Sequence, residues 1–337
     1  MPAPAVWRAR DNRARMLRRV AAPLVLVLLL AGCGGGGDES TESSKATPST
    51  APAPKLIRRN PANASTTLTI GSKNFTEEFI LGEIYAQALK AGGYTVRKQL
   101  DYGSELVAFR GVRDGKLDAY PEYTGTALTT FFDVEPSEIP KDEREAYEAA
   151  KAGFAKSGVT ALPPTPFTDS NAVGMTRAHA AELGVETISD LKKLAPKLTL
   201  SGSPECRRRL DCKLGLERTY GLRFKRYLPT ALPDRHKVLT NGKADVSIVF
   251  STDGQITADD LLVLEDDKKL FPPYNVSLVV NDKAAQRAGA DLPKIVGQVQ
   301  QDLSTKVMQE LNSRVDLDKE KPAEVAREYL QQFGYTE

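Results

Sequence analysis

The sequence predicts an α/β protein whose folded body has two lobes. Strand-like segments rich in β-branched residues alternate with amphipathic helical segments in two successive blocks. A proline-rich stretch, PPTPFTDS at residues 163–170, interrupts the alternation between the blocks. A helical tail follows the strand-like NVSLVV at residues 275–280, and we expect it to return to the first block. A chain that crosses between lobes in this way leaves a cleft where sheet ends and loops face each other.

The first block predicts a mainly parallel sheet with helices packed against it. Its segments follow a β-α-β-α-β order, which is typical of parallel strands joined by helical crossovers. The first helix carries an apolar face and stops at a pair of glycines. The predicted strands cover residues 67–72, 94–102 and 117–123, and the predicted helices cover residues 76–93, 104–115 and 141–158.

The second block repeats the alternation with shorter elements. We expect the first lobe to comprise residues 66–168 plus 281–337 and the second lobe to comprise residues 169–280. The tail over residues 283–334 reads as helical, with an interruption near Pro322. The predicted strands of the second block cover residues 171–176, 197–202, 242–250, 261–266 and 275–280, and a short predicted helix covers residues 188–195.

We expect residues 1–32 to be an export signal outside the fold. Arginines precede the apolar run VAAPLVLVLLL, which is short for a membrane span, and small residues follow it. The quartet LAGC resembles a bacterial lipobox with Cys33 as the lipidated residue, and an uncleaved N-terminal anchor is the alternative. Both interpretations place the protein outside the cell membrane and attached to it. The Gly-, Ser-, Thr-, Ala- and Pro-rich residues 33–65 predict a flexible tether.

Charge and histidine content argue against several functions. Removing the six arginines and one aspartate of residues 1–32 turns the net charge of +2 into −3. A mildly acidic body without a basic block argues against a nucleic-acid partner. The two histidines, His179 and His236, lie in polar sequence contexts, and we expect both on the solvated surface. So few histidines suggest no Ser/His/Asp or Cys/His arrangement, so we expect no catalytic residue, no metal site and no cofactor.

The other two cysteines, Cys206 and Cys212, are six residues apart in PECRRRLDCKLG. Outside the membrane they have an oxidising environment and no other partner, which favours a disulfide. A metal site is the alternative, weakened by the lack of a neighbouring histidine.

The segment YPEYTGT at residues 120–126 combines rings, hydroxyls and a carboxylate between a predicted strand and a helix. A core would use apolar residues at these positions, and a solvated loop would not normally use rings. The combination suits a pocket that grips a small polar ligand.

The segments GSKNFTE and YPEYTGT, together with PEC, YGL, FSTDG and FPPYN further along, resemble the glycine betaine/choline (osmoprotectant) binding proteins of ABC importers. The resemblance spans residues 68–337. It implies a type II periplasmic-binding-protein fold, in which two lobes joined by two crossings close on a ligand.

The resemblance also implies roles for individual residues. Lys73 and Arg209 take the places of cationic groups that bind a carboxylate, and Thr126 that of a hydroxyl donor. Rings that hold a quaternary ammonium correspond to Tyr123, Phe250 and Tyr274, and Asp169 corresponds to a carboxylate near the cation. These roles agree with chemistry, because π faces attract a cation that cannot donate hydrogen bonds, and charge-assisted donors suit a carboxylate.

Two positions depart from the family pattern. Asn171 stands where many relatives have an aromatic residue, and Phe250 replaces the commoner tyrosine. An asparagine wall suits a ligand with hydrogen-bonding capacity. These two departures argue against glycine betaine itself as the ligand, but they are compatible with another small charged or zwitterionic solute.

We therefore expect a lipid-anchored, extracytoplasmic solute-binding component of an ABC importer, monomeric, with a small-molecule solute and the permease–ATPase complex as partners. Ligand contacts with both lobes would favour closure. One alternative is an exported enzyme on the same scaffold, with Asp169 or Glu122 as acid/base. A second alternative is a sensor or adhesion module with the same binding fold. A third is an importer component for a different small polar solute.

Overall fold

The computed structural model describes residues 55–337, which contain two five-stranded sheets. The strands are β1 (Thr67–Gly71), β2 (Thr95–Gln99), β3 (Ala119–Tyr123), β4 (Val159–Ala161), β5 (Asn171–Thr176), β6 (Thr199–Gly202), β7 (Arg226–Pro229), β8 (Val246–Phe250), β9 (Leu261–Val263) and β10 (Val276–Asn281). The first sheet has the order β2-β1-β3-β10-β4, and the second has the order β7-β6-β8-β5-β9. The two mixed sheets confirm the predicted α/β class.

Strand β10 belongs to the first sheet, which corrects the expected division of the chain. It pairs antiparallel with β3, with Val276 opposite Tyr123, and antiparallel with β4 on its other side. The sequence pattern predicts that residues up to 280 belong to the second lobe. A strand's periodicity shows that it is buried on both faces but not which sheet supplies its neighbours. The chain therefore returns to the first lobe before Val276.

The second sheet brings two candidate site residues together. Strands β5 and β8 pair antiparallel, and this register sets Asn171 directly opposite Phe250. Strand β6 lies parallel to both β7 and β8. The start of β5 and the end of β8 therefore meet at the same edge of the sheet.

Eight helices of seven or more residues accompany the sheets in the described part of the chain. Helix α1 is buried over most of its circumference and packs against the tail helices. It buries apolar residues such as Ile80 and Ile84 but also Glu77, Glu78 and Glu83. The helices are α1 (Thr76–Ala91), α2 (Glu105–Arg113), α3 (Glu143–Ala155), α4 (Arg177–Leu183), α5 (Asp282–Ala288), α6 (Asp291–Gln300), α7 (Thr305–Asp316) and α8 (Pro322–Gln332).

Two connections cross between the sheets, over residues 162–170 and 264–275. They run side by side, because Thr168 and Asn275 form an isolated β-bridge. The Asp169 N–H donates to the Tyr274 carbonyl at 3.2 Å. These contacts place both residues at the junction of the lobes.

The folded body begins earlier than the expected tether allows. Ile57 lies in the core of the first lobe, and its N–H donates to the Tyr335 carbonyl at 2.9 Å. The Asn63 side chain is buried and donates to the Gly92 carbonyl at 3.0 Å. Residues 55–65 are thus packed, because their few apolar and amide groups find partners that composition alone does not reveal. The expected export signal, Cys33 and residues 33–54 lie outside the described residues.

None of the helices within residues 55–337 is both long enough and apolar enough to cross a membrane.

Candidate functional site

A cavity of about 340 Å³ lies where the two sheets face each other, and all eight candidate residues lie in its wall. They come from the first lobe, the second lobe and both crossings. The structure thus brings together the residues that the sequence places far apart, whereas their contact with a solute stays a prediction. The eight are Lys73, Tyr123, Thr126, Asp169, Asn171, Arg209, Phe250 and Tyr274.

Lys73 follows β1 and already has a carboxylate partner. Its Nζ lies 2.5 Å from Glu122 Oε1, and Glu122 Oε2 accepts a hydrogen bond from the Tyr120 hydroxyl at 2.8 Å. The same amine stands 4.3 Å from the centre of the Tyr123 ring. Burial alone would lower the pKa of Lys73, but the Glu122 and Glu78 carboxyl groups hold it above its ordinary value. The amine therefore remains charged in the cavity wall.

Arg209 is paired with two carboxylates, one from each lobe. Its Nε and Nη2 donate to the two oxygens of Asp211 at 2.8 and 2.6 Å. Its Nη1 lies 3.4 Å from Glu105 Oε1. Glu105 is the first residue of α2 in the first lobe, so this ion pair crosses the cleft. The two parallel hydrogen bonds to Asp211 form the bidentate geometry that is typical of an arginine–carboxylate pair.

Asp211 joins three further groups at the cavity. The Tyr274 hydroxyl donates to Asp211 Oδ2 at 2.6 Å, and the Thr129 hydroxyl donates to the same oxygen at 3.1 Å. The Asn171 amide donates to the Asp211 carbonyl at 3.0 Å. Burial would raise the pKa of Asp211, but Arg209 holds it below its ordinary value. The buried Asp211 thus orients Tyr274 through its carboxylate and Asn171 through its main-chain carbonyl.

The aromatic part of the wall contains a ring that the sequence analysis missed. The Phe75 ring lies between those of Tyr123 and Phe250, with centroid distances of 6.1 and 5.6 Å. Phe75 lies in the segment GSKNFTE, directly before α1 and two residues after Lys73. Its position in that segment is the sequence feature that could have identified it as a cavity residue.

Arg235 was also missed, and it covers Phe250. Its guanidinium lies 4.6 Å from the centre of the Phe250 ring. Its Nε donates to Asp253 Oδ2 at 2.9 Å, and Nη2 pairs with the other oxygen. The His236 ring contacts the same carboxylate at 2.7 Å. His236 is buried, so its expected place on the solvated surface was wrong.

Two buried carboxyl groups lie next to each other behind the rings. Thr252 links them, because its hydroxyl donates to Glu77 at 2.6 Å and its N–H donates to Asp169 at 3.1 Å. The Tyr123 hydroxyl also donates to Glu77, at 2.8 Å. Burial raises the pKa of Asp169 well above its ordinary value, and the neighbouring Glu77 and Asp253 raise it further. Burial likewise raises the pKa of Glu77.

A disulfide joins Cys206 and Cys212, as predicted, with 5.2 Å between the two Cα atoms. Both cysteines are buried in the core of the second lobe. The bridge closes the loop that carries Arg209 and Asp211, and both cysteines lie in the cavity wall. Within residues 55–337, no group of three or more His, Cys, Asp or Glu side chains is placed to hold a metal ion.

The arrangement suits binding more than bond-making chemistry. Glu122, considered as an acid/base residue for the enzyme alternative, is instead buried against Lys73 and Tyr120. The wall combines rings with fixed charges and hydroxyls, which is the usual composition of a small-molecule pocket.

Comparison with known proteins gives consistent relatives. A glycine-betaine-binding protein from Pseudomonas aeruginosa is 32% identical over 79% of this chain and 88% of its own. The carnitine transport binding protein OpuCC from Listeria monocytogenes is 29% identical over 80% of this chain and 88% of its own. These relatives are binding proteins, in agreement with the expectation that this chain is not an enzyme.

A solved structure agrees with the fold. The crystal structure of a glycine betaine/carnitine/choline ABC transporter protein matches with a TM-score of 0.65 and 29% identity, covering 80% of this chain and 99% of that one. The family profile described as the substrate-binding domain of ABC-type glycine betaine transport systems matches residues 66–332. The chain therefore belongs to this family of ABC-transporter substrate-binding domains, and its two lobes form a type II periplasmic-binding-protein fold.

Proposed function

We propose that the cavity captures a small quaternary-ammonium or zwitterionic compatible solute for delivery to an ABC permease. The observation that carries the proposal is the convergence of all eight candidate residues on one cavity between the lobes. Relatives named for glycine betaine and carnitine support this class of solute.

In this proposal, the aromatic rings bind the ammonium group and polar groups of the two lobes bind the rest of the solute. The rings of Phe75, Tyr123 and Phe250 offer π faces to a methylated ammonium, each worth about 0.5–2 kcal/mol depending on desolvation. Polar groups of both lobes hold the rest of the solute. A solute that contacts both lobes stabilises the closed form, and that form is the one presented to the permease.

The proposal extends to the place of action. The lipobox-like LAGC would attach the protein through Cys33 to the outer face of the cell membrane, and residues 34–54 would tether the folded body. We propose that the protein acts as a monomer, with the eight candidate residues of a single chain lining the cavity.

Titration calorimetry of the purified protein tests the proposal. We expect saturable binding of at least one of choline, glycine betaine, carnitine and proline betaine. Phe250→Leu should weaken that binding about tenfold, because it removes one π face. Phe224→Leu is the matched control, since Phe224 is a half-buried ring outside the cavity wall. Absence of both heat and thermal stabilisation with all four compounds would refute the proposal.

A further inference from the structure

Every cation of the cavity wall has a carboxylate partner within the protein. Lys73 is paired with Glu122 at 2.5 Å. Arg209 is paired with Asp211 at 2.6 Å and, across the cleft, with Glu105 at 3.4 Å. The expected carboxylate-binding groups are thus electrically balanced before any solute enters.

The third cation of the wall is balanced in the same way. Arg235 is paired with Asp253 through both Nε and Nη2, and both side chains are buried. The pairing leaves Arg235 no excess charge with which to attract an anion.

Two more carboxyl groups add negative charge when they ionise. Glu77 and Asp169 are buried, and their hydrogen-bond donors within residues 55–337 are hydroxyl, amide and N–H groups rather than cations. Burial favours their neutral forms. Whether they are neutral or ionised, the wall carries no surplus positive charge.

This charge balance discriminates between two kinds of quaternary-ammonium solute. Entry into the cavity strips water from a solute carboxylate, and a cation that is free to pair would compensate that loss more strongly than the hydroxyl donors of the wall can. A solute carboxylate near Arg209 would also meet the negative charge of Glu105 and Asp211. A methylated ammonium meets the rings of a wall without surplus positive charge, because the Lys73 and Arg235 groups beside those rings are paired with carboxylates.

From this balance we infer that the cavity selects quaternary-ammonium solutes of net positive charge over zwitterions, and that Glu105 is a residue that determines this selectivity. The inference rests on the proposed function, since it names the charge class of the same solute. A hydroxyl or amide can donate a hydrogen bond where a carboxylate would be repelled, so choline-like chemistry fits the wall. Glu105 is the accessible member of the set, because its side chain is 12% exposed whereas that of Asp211 is fully buried.

Calorimetry with an isosteric pair of ligands tests the inference on the unmodified protein. Glycine betaine and its amide have nearly the same shape but differ by one charge. We expect the amide, and choline, to bind about tenfold more tightly than glycine betaine. Equal or tighter binding of glycine betaine would overturn the charge inference and leave the proposed function intact. Binding of none of the three would overturn the inference together with its premise.

A charge-neutralising variant tests the role of Glu105. Glu105→Gln frees one side of Arg209, so the preference for the amide over glycine betaine should fall about threefold or more. Glu148→Gln is the matched control, because Glu148 is an exposed glutamate that is also ion-paired, with Lys151, but lies outside the cavity wall. The control should keep the original preference. An equal shift in both variants, or none in Glu105→Gln, would refute the assignment to Glu105.

Discussion

Glu78 is the residue with the clearest pH-dependent consequence for stability. It is fully buried in α1, with Oε2 accepting from the Lys73 N–H at 2.8 Å. Its Oε1 is buried without a hydrogen-bond partner and lies 3.7 Å from Lys73 Nζ. Burial raises the pKa of Glu78 to about 8, against the opposing effect of Lys73 and with a further increase from Glu122 and Glu77.

A pKa raised in the folded state stabilises the protein only while the carboxyl group is neutral. The contribution is fully present below the unfolded pKa of 4.5 and is lost as pH rises through about 8. We therefore predict that the free energy of unfolding of the wild type falls relative to that of Glu78→Gln between pH 6 and pH 9. Urea denaturation at both pH values measures this difference.

The control for this experiment is an exposed glutamate. Glu148 forms a surface pair with Lys151, and its side chain is 56% exposed. The difference between the wild type and Glu148→Gln should stay constant over the same pH range, within about 0.5 kcal/mol. A constant difference for Glu78→Gln as well would show that Glu78 is ionised throughout.

At the residue scale, the sequence predicted which residues line the cavity better than it predicted their hydrogen bonds and ion pairs. The motifs containing Lys73, Tyr123 and Arg209 located the wall correctly. The pairing of Lys73 with Glu122 depends on the neighbouring strand and loop geometry, which a one-dimensional pattern does not contain. Arg235 had no motif at all, because it reaches Phe250 only through the fold.

At the scale of elements, the short helical turn Thr124–Thr126 brings the end of β3 in the first lobe against the second crossing, which carries Tyr274. A Cβ atom added at Gly125 would lie 2.7 Å from the Tyr274 ring and 2.9 Å from Pro272. The absence of a side chain therefore lets the turn after β3 approach the second crossing closely. Thr126 enters the cavity wall from this turn.

We predict that Gly125→Ala displaces the Tyr274 ring. Solute affinity should fall several-fold, and overpacking should destabilise the fold by about 1–3 kcal/mol. Calorimetry and urea denaturation measure the two effects.

Gly297→Ala is the matched control, because a Cβ atom there has no neighbour within 4 Å and the residue lies inside α6. It should leave affinity unchanged and stabilise the helix by about 0.5–1 kcal/mol. Unchanged affinity in Gly125→Ala would contradict the importance of this close approach.

The longer elements were predictable, whereas the shorter ones were predicted unevenly. The strands at residues 67–72 and 171–176 and the helix at residues 76–93 are confirmed with shifts of at most two residues at their ends. Strands β4 and β7 were missed, because three or four residues give little periodicity to separate a strand from a turn. The equally short β6 and β9 lie within longer predicted strands.

At the scale of the whole molecule, the two lobes are linked across the cleft. Thr252 of the second lobe donates to Glu77 of the first, and Asn312 of α7 donates both to Glu77 and to the Thr252 carbonyl. Two ion pairs also connect the lobes. They are Arg209–Glu105, at 3.4 Å, and Arg218–Glu135, at 2.8 Å. The lobes are thus held together by direct hydrogen bonds and ion pairs.

We predict that Thr252→Val shifts the ligand-free protein toward an open arrangement. The change keeps the side-chain shape but removes one hydroxyl donor of the buried Glu77, a hydrogen bond worth about 0.5–1.5 kcal/mol. Small-angle X-ray scattering should show a larger radius of gyration, which a saturating solute restores.

Thr240→Val is the control, because the Thr240 hydroxyl contacts only the exposed Lys237 carbonyl. It should leave the radius of gyration unchanged. A Thr252→Val protein as compact as the wild type without solute would contradict the proposed role of this hydrogen bond in closure.

The architecture was predictable because both lobes repeat a strong α/β rhythm and the motifs match one family. The assignment of β10 to the first sheet and the packing of residues 55–65 were not. Both depend on contacts between segments that are far apart in the chain, such as the hydrogen bond from Ile57 to Tyr335 and the pairing of β10 with β3. The local sequence of a segment does not identify these distant partners.

The most direct measurement is a crystal structure of the protein grown with choline. We predict that the trimethylammonium group lies in the interlobe cavity within about 6 Å of the ring centres of Tyr123, Phe75 or Phe250. Choline bound on another surface, while the cavity holds only water, would contradict the assignment of this cavity as the solute site.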